Sequence, residues 1–383
     1  MSVRTEELGG APSRPDPAPT APGTWGLTWH GVRTVARLEL RQRIRSTRWV
    51  ISLVAFGLVV GAVTLLTWLV SDLDPAFGAG RTMFGFIVFF VLFLGLLVSP
   101  TLSATAINGD RAAGTLATLQ VTLLSAAEIA VGKLLASWLA SLAFLAVSSP
   151  FLLWALATGG TPVVAVVTTL ALLAVMLAVV CAIGLGFSAL TTRTAGSSVL
   201  TYVAVATLSV LTLVVFGLTL PLVSGEETQQ VYREDWRAAE AAALESGGEY
   251  VPGECEWFEE EVYVAHTERT WWLLAVNPFV IVADAMPGAP ETDTQGQYVG
   301  EGDPMSLIRY GVRQARLGPP ETQDWCYEQP LTQDSGRAEL DALSPAWPWG
   351  LGANLLLAVG GVVLAVRRLR IPQDRLPQGT RVA

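Results

Sequence analysis

The chain has 383 residues, of which 51% are hydrophobic and only 15% charged, whereas about a quarter of the residues of a soluble domain are charged. This composition excludes an ordinary soluble protein and predicts an all-α polytopic membrane protein. The net charge of −9 is unevenly distributed. Residues 225–345 carry 24 acidic and 7 basic side chains, while the remainder carries 9 acidic and 17 basic ones. Such a split predicts that the acidic segment and the basic flanks lie in different compartments.

The N-terminal region divides into two parts. Residues 1–26 are rich in Pro, Ala and Gly and predict a disordered cytoplasmic tail. Residues 27–49 predict an amphipathic helix that lies in the membrane interface, with its apolar stripe in lipid and its arginines near phosphates. The stripe comprises Trp29, Val32, Ala36, Leu40 and Ile44, and the arginines beside it are Arg33, Arg37, Arg41 and Arg45.

Six apolar runs follow, each long enough to cross about 30 Å of hydrocarbon. They predict transmembrane helices at 50–71, 83–106, 129–157, 162–191, 196–223 and 347–366, so that residues 50–223 hold the first five and residues 367–383 form a second cytoplasmic tail. Basic residues mark cytoplasmic loops. They cluster before the first span and after the sixth, so both termini are predicted to be cytoplasmic. Residues 224–346 are then a large extracytoplasmic acidic domain between helices five and six.

The segment 108–128 is a patterned polar interruption between the second and third spans. Asn108 and Asp110 are good helix N-caps, because their side-chain oxygens accept from orphan backbone N–H groups. A leucine stripe at helical spacing then predicts a short amphipathic helix. Ser125 and Glu128 form an S-x-x-E capping box just before the next apolar run. The stripe consists of Leu116, Leu119 and Leu123.

The order of residues from 108 to 133 resembles the cytoplasmic segment between the second and third spans of ABC export permeases, the ABC-2 family. Those proteins typically show an acidic–basic pair, Gly-Thr-Leu, a Leu-rich run, Ser-x-x-Glu-Ile and Gly-Lys. The matching residues are Asp110, Arg111, Gly114, Thr115, Leu116, Leu119, Leu124, Ser125, Glu128, Ile129, Gly132 and Lys133. One departure is at Ala126 and the turn before it, where many relatives carry Pro-Leu-Ser and this chain reads Leu-Leu-Ser. The resemblance implies a coupling element that docks on a separate ATPase, and Leu116 and Leu119 are predicted to face that partner; a connector with no partner is the alternative.

Residues 224–346 contain further predicted elements. Gln229 to Glu245 predicts a helix rich in Ala and Glu. Trp271 to Ala283 is too short to span a bilayer and resembles the Asn-Pro-containing segment that such permeases carry in the outer interface before their last span. Residues 286–305, rich in Pro, Gly and acids, predict a loop.

The chain has three cysteines. Cys255 and Cys326 both fall in the acidic segment, where an extracytoplasmic compartment permits a disulfide between them. Two free thiols that never meet are the alternative. Cys181 lies in the fourth predicted span and is expected to be a small buried apolar residue.

The sequence offers little for catalysis. Its only Gly-Lys pair, Gly132-Lys133, opens a membrane helix and is no P-loop. No ionisable residue lies deep within a predicted span, which argues against proton or sodium coupling. The two histidines, His30 and His266, are predicted on opposite sides of the membrane, and the run at 259–261 favours a solvated acidic surface over a cation site. We therefore expect no catalytic, cofactor or metal site and no nucleic-acid partner; ATP would be bound by another chain.

These patterns together predict a membrane-spanning permease subunit of an ATP-driven ABC exporter rather than an enzyme. Its expected partners are an ABC ATPase subunit, a second copy or a related permease chain, and membrane lipid. Lys133 is the only lysine, and with heavy Ala and Val usage this favours the plasma membrane of a GC-rich, actinobacterium-like bacterium. The alternative is a non-transporting surface protein whose six spans anchor an acidic ectodomain that binds a ligand.

Overall fold

The computed structural model describes residues 23–73, 79–116, 124–159, 161–245, 247, 254–286, 302–326 and 335–370. Several predictions fall outside these residues: most of both tails, the positions of Leu119 and Leu123, and most of the predicted loop at 286–305. Six helices in the described chain are long and apolar enough to cross a membrane. The predicted number of spans is therefore confirmed, and the protein is mostly helical.

The spans follow a short amphipathic helix, α1 (Trp29–Ile44). The first four spans are α2 (Thr47–Leu73), α3 (Ala79–Ser103) with the one-turn extension α4 (Asn108–Ala112), α5 (Ala126–Ala157) and α6 (Val163–Leu190). The fifth span consists of α7 (Thr194–Ala206), a π-helical turn (Thr207–Leu211) and α8 (Thr212–Val223). The sixth span is α14 (Trp347–Leu369).

The centre of the bundle is formed by α3, α5 and α6. Large apolar side chains from these helices interlock there and are almost completely excluded from the surface: Phe84, Ile87, Leu92, Leu152, Leu173 and Met176. In contrast, α2, the fifth span and α14 bury little of their length, and their outer faces are apolar. Lipid chains or another membrane helix cover surfaces of this kind.

A three-stranded sheet begins where the fifth span ends. Strand β1 (Ser224–Glu234) continues directly from α8, pairs antiparallel with β2 (Cys255–Ala265) and parallel with β3 (Thr322–Asp324). The helix predicted from Gln229 to Glu245 is therefore wrong in its first part, and only α9 (Trp236–Glu245) is helical. The strand arises from pairing with residues 21 or more positions away, which local helix propensity does not register. Cys255 and Cys326, at the ends of β2 and just after β3, are joined by a disulfide.

Between β2 and the sixth span, the described residues form four further α-helices: α10 (Trp272–Ala275), α11 (Pro278–Asp284), α12 (Pro304–Leu317) and α13 (Ser335–Ala342). Asn277 caps α11 by accepting from Phe279 N at 2.9 Å, and its Nδ2 donates to Ser209 O at 2.8 Å in the π turn. The segment predicted to lie in the interface forms α10 and α11, and most of its residues are buried against the spans. The backbone approach is close, because a Cβ on Gly350 of α14 would lie 1.8 Å from Ala275 O.

Buried charges hold α12 and the start of the sixth span together. Arg313 Nε donates to Asp284 Oδ1 at 2.8 Å, and Arg309 Nη2 donates to Asp341 Oδ1 at 2.7 Å. Asp284 Oδ2 also accepts from the backbone N of Ala346 at 2.6 Å, at the first turn of α14. A carboxylate at a helix N-terminus is favourable because the aligned peptide dipoles leave partial positive charge there.

Candidate functional site

Helix α1 is docked on the beginning of α5, at the end of the bundle that carries residues 104–116. The contact is close because Gly132 has no side chain: a Cβ there would lie 2.6 Å from the Cβ of Val35 and 3.0 Å from Val32 O. Val32 and Ala36, which were predicted to face lipid, are buried. Trp29 and Ile44, at the two ends of the predicted stripe, are exposed instead. The predicted lipid-facing stripe is therefore wrong in part, since the inner face of α1 packs on protein.

Lys133 is a buried cation at the centre of this contact. The residue is 1% exposed, and its Nζ forms ion pairs with Glu39 of α1 and Asp110 of α4. A buried ammonium group is tolerated only where carboxylates compensate for its lost hydration. One side chain of α5 therefore ties together three elements that are far apart in the sequence. The role of Glu39 was not predicted, because a lone glutamate among arginines gives no signal of its partner.

A second set of contacts holds the entry to α1 against the start of α5. The predicted capping box is confirmed: Glu128 N donates to Ser125 Oγ at 3.0 Å, and Ser125 N donates to Glu128 Oε2 at 2.8 Å. Glu128 Oε1 also accepts from the backbone N of Thr28 at 2.9 Å and from the Thr28 hydroxyl. Thr28 in turn caps α1 by accepting from Gly31 N. Glu128 thus caps its own helix and fixes the first turn of another.

Another basic residue of α1, Arg43, also contacts the spans. Its Nη2 donates to Leu102 O at 2.7 Å, at the end of α3, and to Ser137 Oγ at 3.2 Å in α5. Burial lowers the pKa of the Arg43 guanidinium, and the negative charge of Glu39 opposes that shift. Arg43 therefore points into the protein, unlike the exposed Arg33, Arg37, Arg41 and Arg45 of the same helix.

Asn108 does not cap a helix as predicted. The residue before it, Ile107, occupies the N-cap position of α4 and makes no side-chain cap bond. The Asn108 side chain is fully buried and bridges to the end of the fourth span, donating from Nδ2 to Thr191 Oγ1 at 3.2 Å and accepting from the Ser188 hydroxyl at 3.2 Å. The N-cap interpretation of Asn108 is wrong because a tertiary partner satisfies its amide. Asp110 likewise contributes through Lys133 and not as a cap.

The predicted partner-facing leucines are only partly described. Leu116 is 6% exposed and belongs to a buried cluster with Ile107, Ile129 and Leu369, so its side chain faces the protein's own spans. The expectation that Leu116 is free to contact a partner is therefore wrong, and Leu119 lies outside the described residues. The exposed surface is the turn at 111–115, where Gly114 adopts a φ of +73° that favours glycine.

Other candidate chemistry is dispersed. Within the described residues, no group of three His, Cys, Asp or Glu side chains is placed to hold a metal ion. The run at 259–261 alternates across the sheet: Glu260 accepts from Arg233 Nε at 2.6 Å, whereas Glu259 and Glu261 are exposed. Cys181 is a free, buried thiol within α6, as expected.

The fold and these contacts define a polytopic membrane protein in which α1 and α4 are joined to the third span through Lys133. A family model described as ABC-2 family transporter protein matches residues 33–325, which is most of the chain. The chain therefore belongs to the ABC-2 transporter family, as its sequence resemblance predicted, and is a membrane component of a transporter. A comparison with curated proteins finds no match.

Proposed function

We propose that this chain is the permease subunit of an ATP-driven exporter in a bacterial plasma membrane. The ATPase is a separate chain that binds and hydrolyses ATP, and both termini of the permease are cytoplasmic. The observation that carries the proposal is the buried Lys133, which joins α1, α4 and α5 at one end of the bundle. Work done by an ATPase reaches a membrane pathway only through an element that contacts both and moves as a unit.

The segment 108–128 is the part of that unit that meets the ATPase. In its described part at 108–116, the inner side is anchored: Asn108 contacts the fourth span, Asp110 pairs with Lys133, and Leu116 is buried. Its outer side is the exposed turn at 111–115, which includes Arg111 and Thr115. Because the inner side is fixed to three spans, a force applied to the turn is transmitted to all of them.

The exposed apolar faces support assembly with a second permease chain. The first and fifth spans are the least buried of the six. A second copy or a related chain would cover part of these faces, and lipid the rest. Arg33 and Arg37 of α1 are exposed, and such arginines would contact lipid phosphates beside the same end of the bundle.

The test is co-purification of the native ATPase with variants of the exposed turn. The double substitution Arg111→Glu and Ala113→Asp places two acids on the surface without touching the buried cluster, so the permease should still insert and fold. We expect ATPase binding and substrate-stimulated hydrolysis to fall at least tenfold. The matched control, Arg193→Glu, reverses an exposed charge in the loop between the fourth and fifth spans and should retain the ATPase. Full binding by the double variant would favour the anchored-ectodomain alternative.

A further inference from the structure

An apolar cavity of about 460 Å³ lies within a single chain, between α3, the fifth span and α11. Small-molecule sites commonly have volumes of about 300–1,000 Å³. The residues that line it include Phe89, Phe93, Val205, Leu213, Phe279 and Ile308, and none of the lining side chains is charged. The rings of Phe89 and Phe279 are 5.2 Å apart, so α3 and α11 meet at one wall. This wall exists only because α11 is buried against the spans.

The polar side chains that line the cavity differ in whether they have hydrogen-bond partners. The Tyr202 hydroxyl donates to Leu97 O at 2.8 Å, and Asn277 Nδ2 donates to Ser209 O and to Thr212 Oγ1. The hydroxyl of Ser209, in contrast, is buried and has no hydrogen-bond partner in the described part of the chain. A helical serine usually donates to a carbonyl one turn earlier. Ser209 lies in the π turn, where no acceptor for its hydroxyl is found among the residues that the structure describes.

We infer that this cavity binds an uncharged, largely apolar molecule that carries a hydrogen-bond acceptor, such as an ester or ketone oxygen, for the Ser209 hydroxyl. A charged group would lose its hydration without compensation, because the lining offers no counter-ion. A plain hydrocarbon chain would fill the volume but leave the Ser209 donor unmet, and an unmet buried donor is costly. The observations therefore favour a neutral ligand with an oxygen atom near one end of an apolar body.

The cavity opens towards the side of the bundle rather than towards either end. Phe93 and Leu97 are each 43% exposed at its rim, and Val210 is 59% exposed. An apolar ligand dissolved in the bilayer can therefore enter without crossing water. Binding of a ligand to this cavity does not depend on the proposed function. The further idea that this ligand is the exported substrate rests on the proposed function.

Photo-crosslinking of the purified full chain in phosphatidylcholine nanodiscs tests this inference. The probe is a long-chain fatty acid methyl ester that bears a diazirine, and the comparison probe is the alkane of equal length. We expect the ester to label peptides containing residues 89–97 and 202–213, with competition by unlabelled ester. Ser209→Ala should reduce the preference for ester over alkane roughly 5- to 10-fold, the size expected for one buried hydrogen bond.

A matched pair of variants separates the cavity from the bilayer surface. Ala206→Phe places a ring in the cavity and should abolish competed labelling. Val203→Phe adds the same ring to an exposed position one turn earlier that does not line the cavity, and labelling should persist. The site is overturned if ester and alkane label the protein equally, if unlabelled ester does not compete, and if Ala206→Phe changes nothing. Those results would mean that the groove is simply filled by lipid. Loss of the ATPase partner would not affect these results, so the two proposals fail independently.

Discussion

Gly132 of the third span lies against Val35 of α1 so closely that a methyl group on Gly132 would be 2.6 Å from the Val35 Cβ. Gly132→Ala should therefore push α1 away from α5 and destabilise the protein by about 1–3 kcal/mol, as overpacking does in other cores. Thermal unfolding in detergent measures the effect. Gly217→Ala is the matched control, because nothing lies within 4 Å of a Cβ at that helical position. Equal unfolding temperatures for the two variants would contradict a tight contact.

Lys133→Met should destabilise the cluster by about 3 kcal/mol, because it leaves two carboxylates in partly buried positions without their cation. Glu39 and Asp110 would then repel each other. The triple variant Lys133→Met, Glu39→Gln and Asp110→Asn removes every charge and should recover most of the lost stability. The measurement is again the unfolding temperature, with protease access to α1 as a second readout. A triple variant no more stable than Lys133→Met alone would show that the charges do not interact.

The disulfide should stabilise the segment between the fifth and sixth spans. Cys255 and Cys326 are 71 positions apart, and the chain-entropy argument assigns a closed loop of that size about 4 kcal/mol. Replacing both with Ser should lower the unfolding temperature of the sheet while leaving the spans inserted. Non-reducing peptide mapping should find one linked pair of peptides. Two free thiols in protein isolated without reductant would contradict the pairing.

Asp303 should give the protein a pH-dependent stability. Its Oδ1 accepts from Met305 N at 3.0 Å and caps α12 while lying against Gly85 of α3. Burial raises the pKa of the Asp303 carboxyl, and the hydrogen bonds from Ser306 and Met305 oppose the shift. A raised folded-state pKa means that the contribution of this group is fully present below the ordinary aspartate pKa of about 3.9 and is lost as pH rises through the folded value.

The variant Asp303→Asn isolates this contribution, because Asn also caps helices well but does not titrate. Relative to that variant, the wild-type protein should lose stability over the pH range that begins at the ordinary aspartate pKa, about 3.9, and extends upwards from it. Unfolding temperatures of both proteins across that range provide the measurement. A constant difference between them at every pH would show that the carboxyl does not titrate on unfolding.

The orientation can be tested by labelling with an impermeant thiol reagent. In a Cys181→Ala background, which keeps the disulfide, single cysteines at positions 20, 115 and 375 should be inaccessible from outside the cell. A cysteine at position 240 should be labelled, because five spans separate it from the N-terminal region that arginine bias predicts to be cytoplasmic. Labelling of position 115 from outside would reverse the orientation and remove the proposed ATPase contact.

Features encoded within a few turns of chain could be predicted from the sequence. The six spans follow from uninterrupted apolar runs, and the cap formed by Ser125 and Glu128 follows from a four-residue pattern. Features that depend on distant partners could not. Leu116 has the spacing of a surface stripe, yet its side chain is buried in a cluster that includes Ile107 and Ile129.

The same limit applies to the segment after the fifth span. Residues 229–234 have helix-compatible composition, and only pairing with β2 makes them a strand. From the sequence alone, Arg43 cannot be distinguished from the membrane-facing arginines of α1. The structure shows that it donates a hydrogen bond to Leu102 O at the end of α3. Hydrogen-bond partners of this kind are set by the packing of α1 on the spans, which no local sequence period encodes.

The direct continuation of α8 into β1 has a mechanical consequence. No linker separates Val223 from Ser224, and the backbone N of His266 donates to Val223 O at 2.9 Å, so the second strand is also fastened at the junction. If the fifth span rotates about its own axis, the sheet should therefore rotate with it, because no flexible linker separates them. A small rotation of the fifth span should then produce a larger displacement of atoms at the far end of β1. Rotation of this span can thus be recorded by a fluorophore placed well outside the membrane.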